Sequence, residues 1–140
     1  MQTLTEQRPI TMSVINHVGA LTFAPQTALA LPQIVTVADF NFIRMISLSD
    51  TTNELRADLE VGNFATAITF SDDGRMMFVA SAPQVEGPAF APTLSVFDTQ
   101  TADLIAEGFL GANAEAMVYS INHTVLAIAT QTQVELWGIP

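Results

Sequence analysis

Two histidines, His17 and His123, are the side chains whose charge changes near neutral pH and which could act as a base there. His123 follows Asn122 between two apolar runs and reads as a solvent-exposed turn residue. His17 stands just before an apolar run. A metal site needs several ligands converging on one point, and no spacing sets either histidine among carboxylates. Asp72-Asp73-Gly74 shares a fragment with a calcium-binding loop. The alternating oxygen ligands and the distant Glu of that loop are missing, so a tight turn is the better reading. None of Ser13, Ser47, Ser49, Ser71, Ser81, Ser95 and Ser120 sits in the G-x-S-x-G context of a nucleophile elbow. No Walker loop and no G-x-G-x-x-G is present, so nucleotide binding has no motif. Cysteine is absent, which excludes disulfides, thiolate metal sites and cysteine nucleophiles. The residues that could do chemistry therefore predict a non-enzyme with no metal and no cofactor.

Composition narrows the partners. The chain has 140 residues, enough for one domain with a sizeable core. Hydrophobic residues make up 49 % of it, which predicts either an unusually large core or surface covered by a partner. There is no lysine, and the four arginines (Arg8, Arg44, Arg56 and Arg75) face fourteen carboxylates, for a net charge of −10. Such a chain repels a polyanion, so neither nucleic acid nor an anionic membrane surface is an expected partner. No run of about 18 apolar residues is long enough for a membrane helix. The first residues lack the basic and apolar regions of a signal peptide. With no cysteine either, the expected location is cytoplasmic.

The elements that would position these residues repeat. Residues 65–98 read strand, tight turn, strand, loop, strand. Asp72-Asp73-Gly74 is the turn, because Asp tolerates left-handed geometry and Gly adopts it freely. Ala67-Ile-Thr-Phe-Ser-Asp-Asp73 is echoed upstream by Ala20-Leu-Thr-Phe-Ala-Pro-Gln26 and downstream by Ala116-Met-Val-Tyr-Ser-Ile-Asn122. The aromatics Phe23, Phe70 and Tyr119 lie 47 and 49 residues apart. Second strands follow at 76–81 and 125–130, third strands at 42–48, 93–97 and 134–137, and fourth strands at 54–61 and 103–110. In the first copy the second strand falls within 28–39, where Pro32 predicts a bulge or an interruption. In the second copy the insertion 83–92, with three prolines and a glycine, reads as a loop. No stretch keeps a helical spacing of apolar residues. Four short strands in a period of this length predict β-propeller blades.

On these residues the chain resembles the WD40 and YVTN-type β-propeller repeats. Phe70-Ser-Asp-Asp-Gly-Arg-Met-Met-Phe-Val-Ala is similar to F-S-P-D-G-x-x-L-x-V-A. Thr93-Leu-Ser-Val-Phe-Asp-Thr-Gln-Thr-Ala-Asp-Leu-Ile-Ala is similar to T-V-x-V-x-D-x-x-T-G-x-x-I-A, and Val134-Glu-Leu-Trp137 to V-x-L-W. Gly138 stands where the usual repeat has Asp after Trp, Asp72 replaces the turn Pro, and His17 is closer to its strand than the family's Gly-His pair. In a propeller His17 would hydrogen-bond between blades.

The resemblance implies an all-β propeller of three four-stranded antiparallel blades. It divides the single domain into a closing strand (10–15), blade 1 (16–62), blade 2 (63–111) and blade 3 (112–140), the last lacking its outer strand. Propellers have about four to eight blades, so the ring is expected to be completed by oligomerisation. Two chains joined head to tail give six blades, the preferred reading, and three give nine; a different protein supplying the missing blades is the alternative. Thr11, Met12, Ser13, Val14 and Ile15 of one chain would lie beside Val134, Leu136 and Trp137 of the next. The expected function is a non-catalytic scaffold that binds a protein or peptide. Val85, Pro88, Phe90 and Pro92 in the inserted loop are the candidate recognition residues. The runner-up is a lactonase-like or lectin-like propeller with a site in the channel or between blades. An acidic rim would favour a cationic peptide and clustered aromatics at a blade junction a sugar, against which the single Trp and single Tyr argue. A third possibility is a fragment whose demonstrable property is assembly.

Overall fold

The computed structural model describes residues 3–4, 17–25, 33–48, 53–61, 63–85, 90–120, 122 and 124–139. Among them there are eleven strands and no helix. Blade 1 is the antiparallel sheet β1 (Val18–Phe23), β2 (Gln33–Asp39), β3 (Phe42–Leu48) and β4 (Asn53–Glu60). Blade 2 is β5 (Phe64–Phe70), β6 (Met76–Ala82), β7 (Thr93–Asp98) and β8 (Leu104–Phe109). Blade 3 is β9 (Ala116–Ser120), β10 (Val125–Ala129) and β11 (Val134–Gly138), and no described strand pairs with the outer edge of β11. Strands follow one another in space as they do in the chain, which is the meander of a propeller blade. The closing segment 10–15 lies outside the described residues.

Strand alternation explains how the blades stack. Side chains along β6 point to opposite faces in turn. Met77 and Val79 pack towards blade 1 with Ala38 and Ile43. Phe78 and Ala80 pack towards blade 3 with Leu126 and Ile128. The Phe78 ring stacks on Tyr119 of β9 at 5.6 Å between centroids. Blade 2 is therefore apolar on both faces and buried on both. Only its outer strand β8 is exposed along most of its length.

Two close approaches lock the junctions. A Cβ on Gly19 of β1 would stand 2.9 Å from the Ala65 carbonyl oxygen of β5, so the two first strands meet at a distance that glycine alone allows. The Ala65 N–H also donates to the Phe40 carbonyl oxygen at 2.8 Å, joining blades 1 and 2 through backbone. At the other junction Gly108 of β8 gives room to Trp137 of β11, whose ring carbons would be 2.8 and 3.0 Å from an added Cβ. The Trp137 indole N–H donates to Glu135 at 3.1 Å, and Glu135 accepts the Gly111 N–H at 2.9 Å.

Pro32, where a bulge or an interruption of the second strand is expected, lies outside the described residues; from Gln33 to Asp39 the strand β2 is continuous. Among the described residues of blade 1, register shifts fall in β1 between Val18 and Ala20 and in the β3–β4 ladder at Met45 and Ile46.

Gly19→Val should cost about 1–3 kcal/mol, as overpacking a tight contact does. Urea unfolding of the purified variant checks this. A midpoint equal to that of the parent would show that blades 1 and 2 do not meet through this glycine.

Candidate functional site

The blade meander sorts the connections onto two rims. The first strand of each blade starts, the second ends, the third starts and the fourth ends at one rim. The opposite rim carries the turns between first and second and between third and fourth strands. The two rims differ chemically.

In blade 2 the second rim is polar. Its turns include Ser71–Arg75 and Asp98–Asp103 of blade 2. Gly74 has φ of 70°, the left-handed geometry expected of the Asp-Asp-Gly turn. The Asp73 carboxylate accepts from the Arg75 N–H at 3.0 Å and the Ser71 hydroxyl at 2.7 Å. Asp98 accepts the N–H groups of Gln100 and Thr101 at 2.8 and 3.0 Å. These bonds hold both carboxyls below the usual Asp range, led by Arg75 N–H for Asp73 and by Thr101 N–H for Asp98.

The first rim carries exposed apolar side chains: Phe40, Phe64, Val85, Phe90 and Phe109. Phe40 and Asn41 form the two-residue turn between β2 and β3, and Phe40 has φ of 53°. Its ring lies 4.9 Å from that of His17, stacked at 24°, and 5.8 Å from that of Phe64, tilted at 49°. His17 precedes β1 and Phe64 opens β5, so the cluster straddles blades 1 and 2. It borders an open cavity of about 320 Å³ lined by His17, Gly19, Phe40, Phe64, Ala65 and Thr66.

A buried charge network supports that cluster. Asp39, at the end of β2, accepts the His17 backbone N–H at 2.7 Å and Arg44 Nε at 2.9 Å. Arg44 also donates to Asp58, its direct cross-strand neighbour on β4, at 2.6 Å, and its guanidinium lies 4.9 Å from the Phe42 ring centroid. Thus the described hydrogen bond of His17 runs within blade 1 and through its backbone. The expected bond between blades through the imidazole is not among those described; the ring stacks on Phe40 instead. Sequence reasoning did not find Arg44. Its signal is a charged residue in an otherwise apolar strand, with Asp39 five residues before it.

The sequence-predicted residues separate. On β11, Val134 and Leu136 point to the face away from blade 2, whereas Trp137 packs towards blade 2. In the loop, Val85 and Phe90 are exposed and the Pro92 carbonyl oxygen accepts the Leu110 N–H at 2.9 Å. Pro88 and His123 lie outside the described residues, as do Thr11, Met12, Ser13, Val14 and Ile15. Among the described residues no group of three or more His, Asp or Glu side chains converges on a point that could hold a metal.

A second concave feature lies beside β11. A groove of about 180 Å³ is lined by Met76, Leu94, Val96, Ile105, Gly108 and Trp137, among others, and is almost wholly apolar. Backbone of Ile139 bonds to Thr124 and of Gln133 to Thr130. By antiparallel alternation Glu135 and Trp137 also turn their backbone groups to β10, and those of Val134, Leu136 and Gly138 point outward.

The chain matches solved structures of β-propellers. Polycomb Repressive Complex 2 of Chaetomium thermophilum, bound to GSK126, contains a chain with TM-score 0.71 and 15 % identity, covering 88 % of this chain and 29 % of that one. The β-propeller domain of Myceliophteria thermophila Cps50 (Swd1) matches with TM-score 0.60 and 12 % identity, covering 76 % of this chain and 35 % of that domain's chain. The chain thus spans about a third or less of the length of these structures. No family model and no curated protein matches its sequence. At these identities the likeness establishes the fold: a partial, WD40-like β-propeller.

Two outcomes follow from the charge arrangements. Arg44→Met takes the guanidinium away from a carboxylate that is 1 % exposed and should cost about 3–5 kcal/mol. Asp58→Asn, at a side chain 40 % exposed, should cost less than about 1 kcal/mol. Chemical denaturation of both variants checks the order, and equal effects would contradict it. The second outcome concerns acid. A carboxyl whose folded pKa is depressed stabilises the fold above its unfolded value, and that contribution is lost as pH falls through the folded value. The thermal midpoint should therefore drop as pH is lowered below about 4. The double variant Asp73→Asn, Asp98→Asn should show a shallower acid limb than the parent; parallel limbs would refute the assignment.

Proposed function

We propose that this chain is a non-catalytic β-propeller scaffold that completes its ring by head-to-tail association with a second copy and binds a protein or peptide on its apolar rim. The observation that carries this reading is the pair of unmatched end faces. Blade 3 presents Val118, Val134 and Leu136, the last 72 % exposed, on the side away from blade 2. Blade 1 presents Leu21, 61 % exposed, and Phe23 on β1, on the side opposite Ala20. Apolar sheet faces of this kind mark interaction surfaces. The two faces belong to different surfaces of one molecule, so the contact is heterologous and closes only as a ring.

The edge of β11 supports the same reading. Blades 1 and 2 have a fourth strand where blade 3 has the apolar groove between Trp137 and Ile105. An open strand edge is a template for pairing. Residues 10–15 of the neighbouring copy alternate apolar Ile10, Met12 and Val14 with Thr11 and Ser13, the pattern of a strand with one buried face. That strand would pair with the outward groups of Val134, Leu136 and Gly138. Two copies make six blades. Recognition falls to the rim of Phe40, Phe64, Val85 and Phe90, which come from three blade connections.

Sedimentation velocity or native mass spectrometry of the whole chain at micromolar concentration tests the assembly. The expected particle has twice the protomer mass of 15.0 kDa, and three times that mass would indicate the nine-blade ring. Leu136→Asp should shift the particle to the protomer mass with the secondary structure retained. A parent chain that sediments as a folded 15.0 kDa species would overturn the ring.

A further inference from the structure

We infer that the pocket of His17, Phe40 and Phe64 takes up a cationic side chain, an arginine or a lysine, from a peptide partner. The inference rests on the rim reading above and names the chemistry of its ligand. The first observation is the backbone of Phe40. Two-residue hairpin turns need left-handed geometry, which Asn, Asp and Gly supply. A bulky residue there is an outlier, and such outliers cluster at functional sites. Here φ is 53° at a phenylalanine that remains 43 % exposed. Burial does not repay that strain. What the conformation achieves is to set the ring between His17 and Phe64, at centroid distances of 4.9 and 5.8 Å.

The second observation is charge. Aromatic faces attract cations through their quadrupole. Asn41, the other residue of the same turn, donates from its side-chain amide to Glu60 at 3.1 Å and so fixes a carboxylate beside the turn. The chain as a whole carries −10, which draws cations and repels anions. Arg44 is engaged by Asp39 and Asp58, and Arg75 lies on the opposite rim. Among the described residues, no arginine lines this pocket.

A sugar fits less well. Stacking on rings must be joined by hydrogen bonds to hydroxyl groups. Of the side chains lining the cavity, His17 and Thr66 carry groups that could bond a hydroxyl, and Thr66 already donates to the Ala80 carbonyl oxygen at 3.3 Å. Gly19 and Ala65 offer no side-chain polar group.

The test is NMR titration of the full chain with acetyl-Gly-Gly-Arg-Gly-Gly-amide and with the same peptide carrying citrulline, which keeps the shape and removes the charge. Ring resonances of His17, Phe40 and Phe64 should move with the arginine peptide, and the citrulline peptide should bind about tenfold or more weakly. Phe40→Leu keeps apolar bulk but not the π face and should weaken arginine binding by a similar factor. Phe40→Gly should abolish it while leaving the unfolding midpoint equal to or above that of the parent, because glycine adopts the turn geometry freely. Equal binding of the two peptides, or full retention by Phe40→Leu, would show an apolar slot and overturn the inference. Shifts confined to Val85, Phe90 and Pro92 would also overturn it while leaving the rim as a docking surface. Absence of any shift, with a particle of protomer mass, would remove both readings.

Discussion

A propeller blade has two apolar faces, and each must lie against another sheet. Every other feature of this chain follows from that constraint. Blade 2 meets it within the chain: Met77 and Val79 lie against blade 1, Phe78 and Ala80 against blade 3. Blades 1 and 3 meet it on one side only. Leu21 and Phe23 at one end and Val118, Val134 and Leu136 at the other are exposed.

The same meander that stacks the blades also separates two chemistries. In blade 2 the turns between first and second strands and between third and fourth strands carry aspartates tied to backbone N–H groups. The other rim gathers phenylalanines from connections far apart in the chain. His17, Phe40 and Phe64 become neighbours because the first strands of adjacent blades lie side by side and the β2–β3 turn leans over them. The Asp39–Arg44–Asp58 network anchors that corner from within blade 1, through the His17 backbone.

The fold was largely legible in the residues. Asp72-Asp73-Gly74 announces its hairpin by turn chemistry, and Gly74 takes the left-handed φ that was expected. The spacing of Phe23, Phe70 and Tyr119 revealed the repeat, and the strands of blades 2 and 3 fall where alternation placed them. Blade 1 was harder. Its expected break at Pro32 lies outside the described residues, and its register shifts, at Val18/Ala20 and Met45/Ile46, have no local sequence signal. The candidate site was less legible. Phe40 is not a turn residue by type, so Asp39-Phe-Asn-Phe42 did not read as a tight turn. Arg44 and Asp58 are fourteen positions apart, and only the register of β3 against β4 makes them neighbours. On β11, Val134, Leu136 and Trp137 read as one group, but alternation sends Trp137 to the opposite face.

The central claim is that the outer edge of β11 and the faces beside it are covered in the assembled protein. Hydrogen exchange of individual amides reports this directly, since Val134, Leu136 and Gly138 turn their N–H groups away from β10. In a closed ring these three amides are protected, and their protection falls when the protein is diluted below the concentration at which it assembles. Exchange of all three at the rate of an unstructured chain, at every concentration and with β10 still protected, would contradict it.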